Sequence, residues 1–147
     1  MYKHILIPTD GSEVAEKAVS AGIDFAREVG ARVTLFTAVP EYVPPSETDV
    51  MARRVVSIAD HARESEKLAN GILAGAAGKA QAARLEFATA HSESNQPWQA
   101  IVDAAKRYNC DAIFMASHGH RGLKKLLLGS VTNEVLTHTR IPVLVFR

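Results

Sequence analysis

At 147 residues the chain has the length of one domain, residues 1–147, and it can bury about 68–70% of its unfolded surface without a disulfide or metal staple. Its 47% hydrophobic and 22% charged residues suit an ordinary globular protein, and a net charge of +1 argues against a dedicated nucleic-acid binder, which carries a basic excess. The one cysteine, Cys110, excludes an internal disulfide, and no apolar run approaches the ~20 residues of a membrane-spanning helix.

The N-terminus shows no signal-peptide architecture, so a cytoplasmic location is expected. Residues 2–8 read as a first strand, continuously apolar in Ile5-Leu6-Ile7 as a strand covered on both faces should be. Pro8 ends it, Thr9-Asp10-Gly11 forms a turn, and Ser12 is suited to cap the next helix. In that helix Ala15, Ala18, Val19, Gly22, Phe25, Ala26 and Val29 recur at helical spacing, and Gly30 stands where a left-handed end residue belongs. The small residues on this face predict close packing on a sheet.

Residues 32–39 form a second strand, closed by Pro40. Ser46 and Asp49 have the spacing of a capping box, predicting one long helix over about 48–76 whose last turns fray at Gly71, Gly75 and Gly78. Residues 84–90 alternate Leu85 and Phe87 with Arg84 and Glu86, the pattern of an edge-like third strand, and 91–96 read as polar loop. Pro97 suits a first helical position, and Trp98, Ile101, Val102, Ala105 and Tyr108 mark one helix face. Residues 111–117 are a fourth strand, 130–139 a helix, and Val143-Leu144-Val145-Phe146 a fifth strand.

Strands and helices therefore alternate from end to end, which implies a single open five-stranded parallel sheet with helices on both faces. Such sheets bind ligands outside the carboxyl ends of their strands, where the winding reverses. The turn-rich exits at Pro8 to Ser12 and Ala116 to Gly122 are the two marked candidates, and they share one crevice if the first and fourth strands are neighbours. The second exit, Ala116 through Thr132, carries Gly119, Gly122, Gly129, His118, His120, Arg121, Lys124 and Lys125 between a strand and a helix. Free N–H groups and the helix dipole favour anions at such a junction, which marks a candidate phosphate cradle. Ser130 can serve both as phosphate contact and as helix N-cap.

With these blocks the chain resembles the universal stress protein family over essentially its whole length. Its nucleotide-binding members carry Gly, two residues, Gly, nine residues, Gly, then Ser or Thr. Here Ala116, two residues, Gly119, nine residues, Gly129 and Ser130 keep that spacing, flanked by Ile5-Leu6-Ile7-Pro8-Thr9-Asp10-Gly11-Ser12 and Ile141-Pro142-Val143-Leu144-Val145. The resemblance implies a Rossmann-like strand order 3-2-1-4-5 and a stress-response protein that binds ATP, ADP or AMP, which Mg2+ could accompany. It implies that Pro8, Thr9 and Asp10 meet the adenosine, Asp10 at the ribose, and that Ala38 recognises adenine through its backbone. Ala116, Gly119, Gly129 and Ser130, with the N–H groups of Val131 and Thr132, would hold phosphates. The departure is Ala116 in place of glycine: it is costly if that position needs a positive φ or touches the ligand, and nearly silent if only smallness matters.

The family also implies a homodimer through the C-terminal strand, Val143 to Phe146, and a sheet edge paired with a second copy would meet the same need. No P-loop lysine precedes Gly129-Ser130, so at most a slow ATPase is expected. The competing readings are a hydrolase or transferase using Asp10 and the loop histidines, and a family member that binds no nucleotide and works through protein partners. A flavodoxin-like or receiver-type domain ranks low, because only Asp10 stands where an acidic cluster is needed.

Overall fold

A computed structural model describes residues 1–118 and 128–147. The elements run β1 (His4–Pro8), α1 (Glu13–Val29), β2 (Arg32–Val39), α2 (Glu47–Met51), α3 (Ile58–Ala82), β3 (Phe87–Glu93), α4 (Pro97–Arg107), β4 (Ala112–Ala116), α5 (Ser130–His138) and β5 (Val143–Phe146). All strands are parallel in one sheet of order β3-β2-β1-β4-β5, as expected.

The continuous apolar run of β1 is explained by burial from both sides. Ile5 and Ile7 join Val19, Ile23 and Ala26 of α1 and Leu73, Ala76 and Ala80 of α3, whereas Leu6 joins Phe36, Ile113 and the α4 residues Ile101, Ala104 and Ala105. Gly22 lets α1 press on the sheet, since a β-carbon there would sit 2.8 Å from Ile7 Cδ1 and 2.9 Å from Phe114 Cδ1. Ser12 Oγ accepts from Ala15 N at 3.2 Å, and Gly30 closes the helix at φ 71°.

The predicted helix over 48–76 is two helices. Ser46 and Asp49 do form a capping box, but α2 lasts one turn before Arg53 adopts φ 56°, and Ser57 caps α3 anew through Asp60 N. Between them Tyr42 Oη donates to Val56 O at 3.0 Å, fixing a segment whose Val55 and Val56 have no core to join. The expected fraying is also absent: α3 runs through all three glycines to Ala82. Ala69, Leu73, Ala76 and Ala80 are buried on the opposite side of the helix surface, and that burial outweighs the cost of about 1 kcal/mol per glycine.

The third strand is displaced three residues from its expected place. Arg84, at φ 55°, and a bond from Leu85 N to Ala80 O use residues 84–86 to turn the chain out of α3. Pairing then starts at Val33 with Phe87 and continues to Val39 with Glu93, so 91–93 are strand rather than loop. No helix among the described residues is long and apolar enough to cross a membrane.

Candidate functional site

The sheet winds outward from β1 through β2 to β3 and from β4 to β5, so it reverses between the neighbouring strands β1 and β4. At the carboxyl ends of these strands lies a cleft of about 170 Å³. Its walls come from the β1 exit (Pro8, Thr9, Asp10), the end of β2 (Phe36, Thr37, Ala38), the β4 exit (Met115, Ala116, His118), α4 (Pro97, Ile101), α5 (Val131, Thr132) and Ala15. Most of the lining is apolar, with a few polar groups at separate points, the composition of a small-molecule site.

The β1 exit is held by its own side chains. Asp10 Oδ1 accepts from Ser12 N at 2.9 Å, Thr9 Oγ1 accepts from Gly11 N at 3.1 Å, and Thr9 N donates to Phe36 O at 2.8 Å. Asp10 therefore shapes the turn that presents it. Across the cleft, Thr132 Oγ1 donates to Ala116 O at 2.8 Å and ties the first turn of α5 to the end of β4. Gly129 N donates to Ser117 O at 2.7 Å, and Ser117 Oγ meets His118 Nδ1 at 2.9 Å.

Gly129, not Ser130, is the N-cap of α5, and Ser130 is the first helical residue. Among the described residues no side chain caps this helix, and a helix start of this kind can receive an anion on the backbone N–H groups of its first turn. Gly129 has φ −60°, which any residue adopts, but a β-carbon there would lie 2.9 Å from His118 Cα and 3.2 Å from Ser117 O. The position requires glycine for space. Ala116 shows no positive φ and pairs with Phe146 as ordinary strand, so alanine strains nothing in the backbone there.

Of the residues singled out from sequence, Pro8, Thr9, Asp10, Ala38, Ala116, Val131 and Thr132 surround this one cleft. Gly129 and Ser130 stand beside it at the start of α5, and Gly119, His120 and Arg121 lie outside the described residues. Phe36, Thr37, Ile101 and Met115 also line the cleft, and their apolar or β-branched character in the sequence does not distinguish them from core. Thr37 is notable because its buried hydroxyl has no hydrogen-bond partner among the described residues. Trp98, next to Pro97 of the lining, stacks on His138 with ring centroids 4.3 Å apart and joins α4 to α5. Among the described residues no group of three or more His, Cys, Asp or Glu side chains is placed to hold a metal ion.

Known proteins agree with this architecture. MJ0577 of Methanocaldococcus jannaschii, a universal stress protein, is 31% identical, with the match covering 100% of this chain and 96% of that protein. Its solved structure superposes with a TM-score of 0.76 over 99% of this chain and 95% of that one, at 27% identity. The universal stress protein YxiE of Bacillus subtilis is 28% identical across the full length of both chains. A universal stress protein of Archaeoglobus fulgidus solved in complex with dAMP shares the fold at TM-score 0.66 and 21% identity, over 99% of this chain and 98% of that one. The model of the universal stress protein family matches residues 1–147, and the chain belongs to that family.

Proposed function

We propose that the cleft binds an adenine nucleotide, with ATP the first to test and ADP or AMP in its place, and that the protein is a cytoplasmic stress-response binding module rather than an efficient enzyme. One observation carries this reading: an apolar slot and the N-terminus of α5, which starts at the cap residue Gly129, adjoin at the sheet's winding reversal. The slot suits a flat base, and the helix start suits phosphate. The backbone of Ala38 would meet the adenine edge, Asp10 the ribose hydroxyls, and Gly129, Ser130 and the N–H groups of Val131 and Thr132 the phosphates, with Gly119 completing the cradle. Pro8, Thr9 and Ala116 would bound the nucleoside. The dAMP complex of the Archaeoglobus protein concerns that molecule; at 21% identity it recommends the ligand class to try, while the reading for this chain rests on its own residues.

A bound nucleotide would supply the phosphates to which Mg2+ could attach. With no P-loop lysine in the sequence to stabilise a departing phosphate, turnover would be slow. Titration calorimetry with ATP, with and without Mg2+, should show saturable binding, and Asp10→Ala should weaken it. No saturable heat from the folded wild type with ATP, ADP or AMP overturns the reading. Loss of an ATPase rate in Asp10→Ala with binding retained would favour an enzyme instead. The outer edge of β5, four half-buried residues, is the proposed homodimer seam; a monomeric mass at micromolar concentration contradicts it.

A further inference from the structure

The other edge of the sheet, β3, is open in a way that natural sheets usually avoid. Ser94 N donates to Val39 O at 2.8 Å and Val33 N donates to Glu86 O at 3.0 Å, so the even-numbered residues of this segment turn their backbone groups toward β2. In a parallel ladder the N–H and C=O of one residue point the same way, which leaves those of Phe87, Thr89, His91 and Glu93 facing outward. Among the described residues no backbone group meets them. Edge strands are commonly blunted by lysine, proline or a bulge. β3 has none of these, and its seven residues pair with β2 in unbroken register.

Beside this edge runs a groove of about 370 Å³ between β3 and α4. It opens at the carboxyl end of the strand, where Ser92 and Ser94 of this segment face Ala100, Asp103, Ala104 and Arg107 of α4. Glu41 and Asp103 line it with the guanidinium of Arg107, which lies 5.8 Å from the Tyr108 ring centroid, whereas the Glu93 carboxylate turns to His61 on the opposite face. Glu41 N donates to Asn95 Oδ1 at 3.2 Å and Glu41 Oε2 accepts from Asn95 Nδ2 at 3.5 Å, and neither Glu41 nor Asp103 has an ion pair among the described residues.

We propose that the β3 edge docks an extended segment of another protein as a sixth strand, with Lys or Arg at alternate positions entering the groove. Backbone pairing supplies the attachment, and the acidic lining selects the side chains. The same charge disfavours a second copy as occupant. A two-fold antiparallel pairing of β3 with itself would set two acidic grooves side by side on one face. The proposal is independent of the nucleotide reading.

The probe is a capped synthetic heptapeptide alternating Lys with Val, compared with its Glu-for-Lys counterpart, each titrated into the full chain at low salt. The lysine peptide should bind saturably, more weakly as salt rises, and hydrogen exchange should slow at the amides of Thr89 and His91 but not at Ala90, already bonded to β2. His91→Pro removes an outward donor without touching the ladder, and Asp103→Lys reverses the groove's charge; each should weaken binding by about tenfold or more. Equal binding of the glutamate peptide, or no added protection at Thr89 and His91, overturns the proposal even if the proline variant does not fold. A concentration-dependent self-association lost in Thr89→Pro would also overturn it, in favour of a second copy.

Discussion

Gly129→Ala tests how the strand-to-helix junction is built. The added β-carbon would lie 2.9 Å from His118 Cα and 3.2 Å from both His118 Cβ and Ser117 O, against 3.4–4 Å for ordinary contact. The two backbone segments must therefore separate by roughly half an ångström, since neither neighbour is a flexible side-chain tip. Separation stretches the 2.7 Å bond from Gly129 N to Ser117 O and shifts the first turn of α5. Overpacking of this kind costs about 1–3 kcal/mol, which for a domain of this size lowers Tm by roughly 2–12 °C. Because the backbone φ suits alanine, none of this loss is conformational. Thermal and urea unfolding followed by circular dichroism measure the stability, and calorimetric titration with ATP measures the site. Loss of stability with a larger proportional loss of nucleotide affinity is expected. A variant with unchanged Tm and unchanged ATP affinity would refute the close-approach argument.

Three further outcomes follow from buried groups. Thr37→Val replaces a buried hydroxyl that has no partner among the described residues with an isosteric methyl and should stabilise the ligand-free protein by on the order of 1 kcal/mol, read as a higher urea midpoint at unchanged m; a lower midpoint would show that the hydroxyl is bonded. Burial, followed by the charge of Asp111, pushes the Cys110 thiol up to about 11, so the folded protein at neutral pH should resist thiol reagents and yield one reactive thiol on denaturation; rapid labelling of the folded chain would contradict this. His4 is buried with Nε2 against Thr34 Oγ1 at 2.8 Å, and burial together with the Arg32 charge holds its pKa below the ordinary 6.5. The unfolded chain then binds more protons as pH falls below 6.5, so this residue removes stability there, at no more than about 1.4 kcal/mol per pH unit. His4→Gln should flatten that acid slope, and an unchanged slope would assign it to other groups.

Where a residue's local chemistry and its tertiary role coincide, sequence was a sufficient guide. Ile5-Leu6-Ile7 is apolar because both faces of β1 are covered, Ser12 and Pro97 stand where α1 and α4 begin, and β3 lies at the edge its alternation suggested. Where the two conflict, sequence misled. Gly71, Gly75 and Gly78 weaken a helix in isolation, yet Leu73 and Ala76 bind it to the sheet. Arg53 and Arg84 take left-handed conformations that no side-chain pattern announces, and each moves an element boundary. At the cleft, Pro8, Thr9 and Asp10 are marked by turn chemistry, whereas Phe36, Ile101 and Met115 carry only the apolar signature that any core residue has. Their position there depends on α4 crossing above the end of β2. A serine before a helix is ordinarily its cap, but the crowding at His118 gives that place to Gly129.

The stack of Trp98 on His138 has an optical consequence. Trp98 is the sole tryptophan of the chain, so all indole emission comes from the seam between α4 and α5, one residue from Pro97 in the cleft wall. An imidazole stacked 4.3 Å from an indole is placed to quench its emission. Any ligand that draws α5 toward or away from α4 changes that spacing. The molecule thus carries an unlabelled indicator of its own cleft, read at a single wavelength.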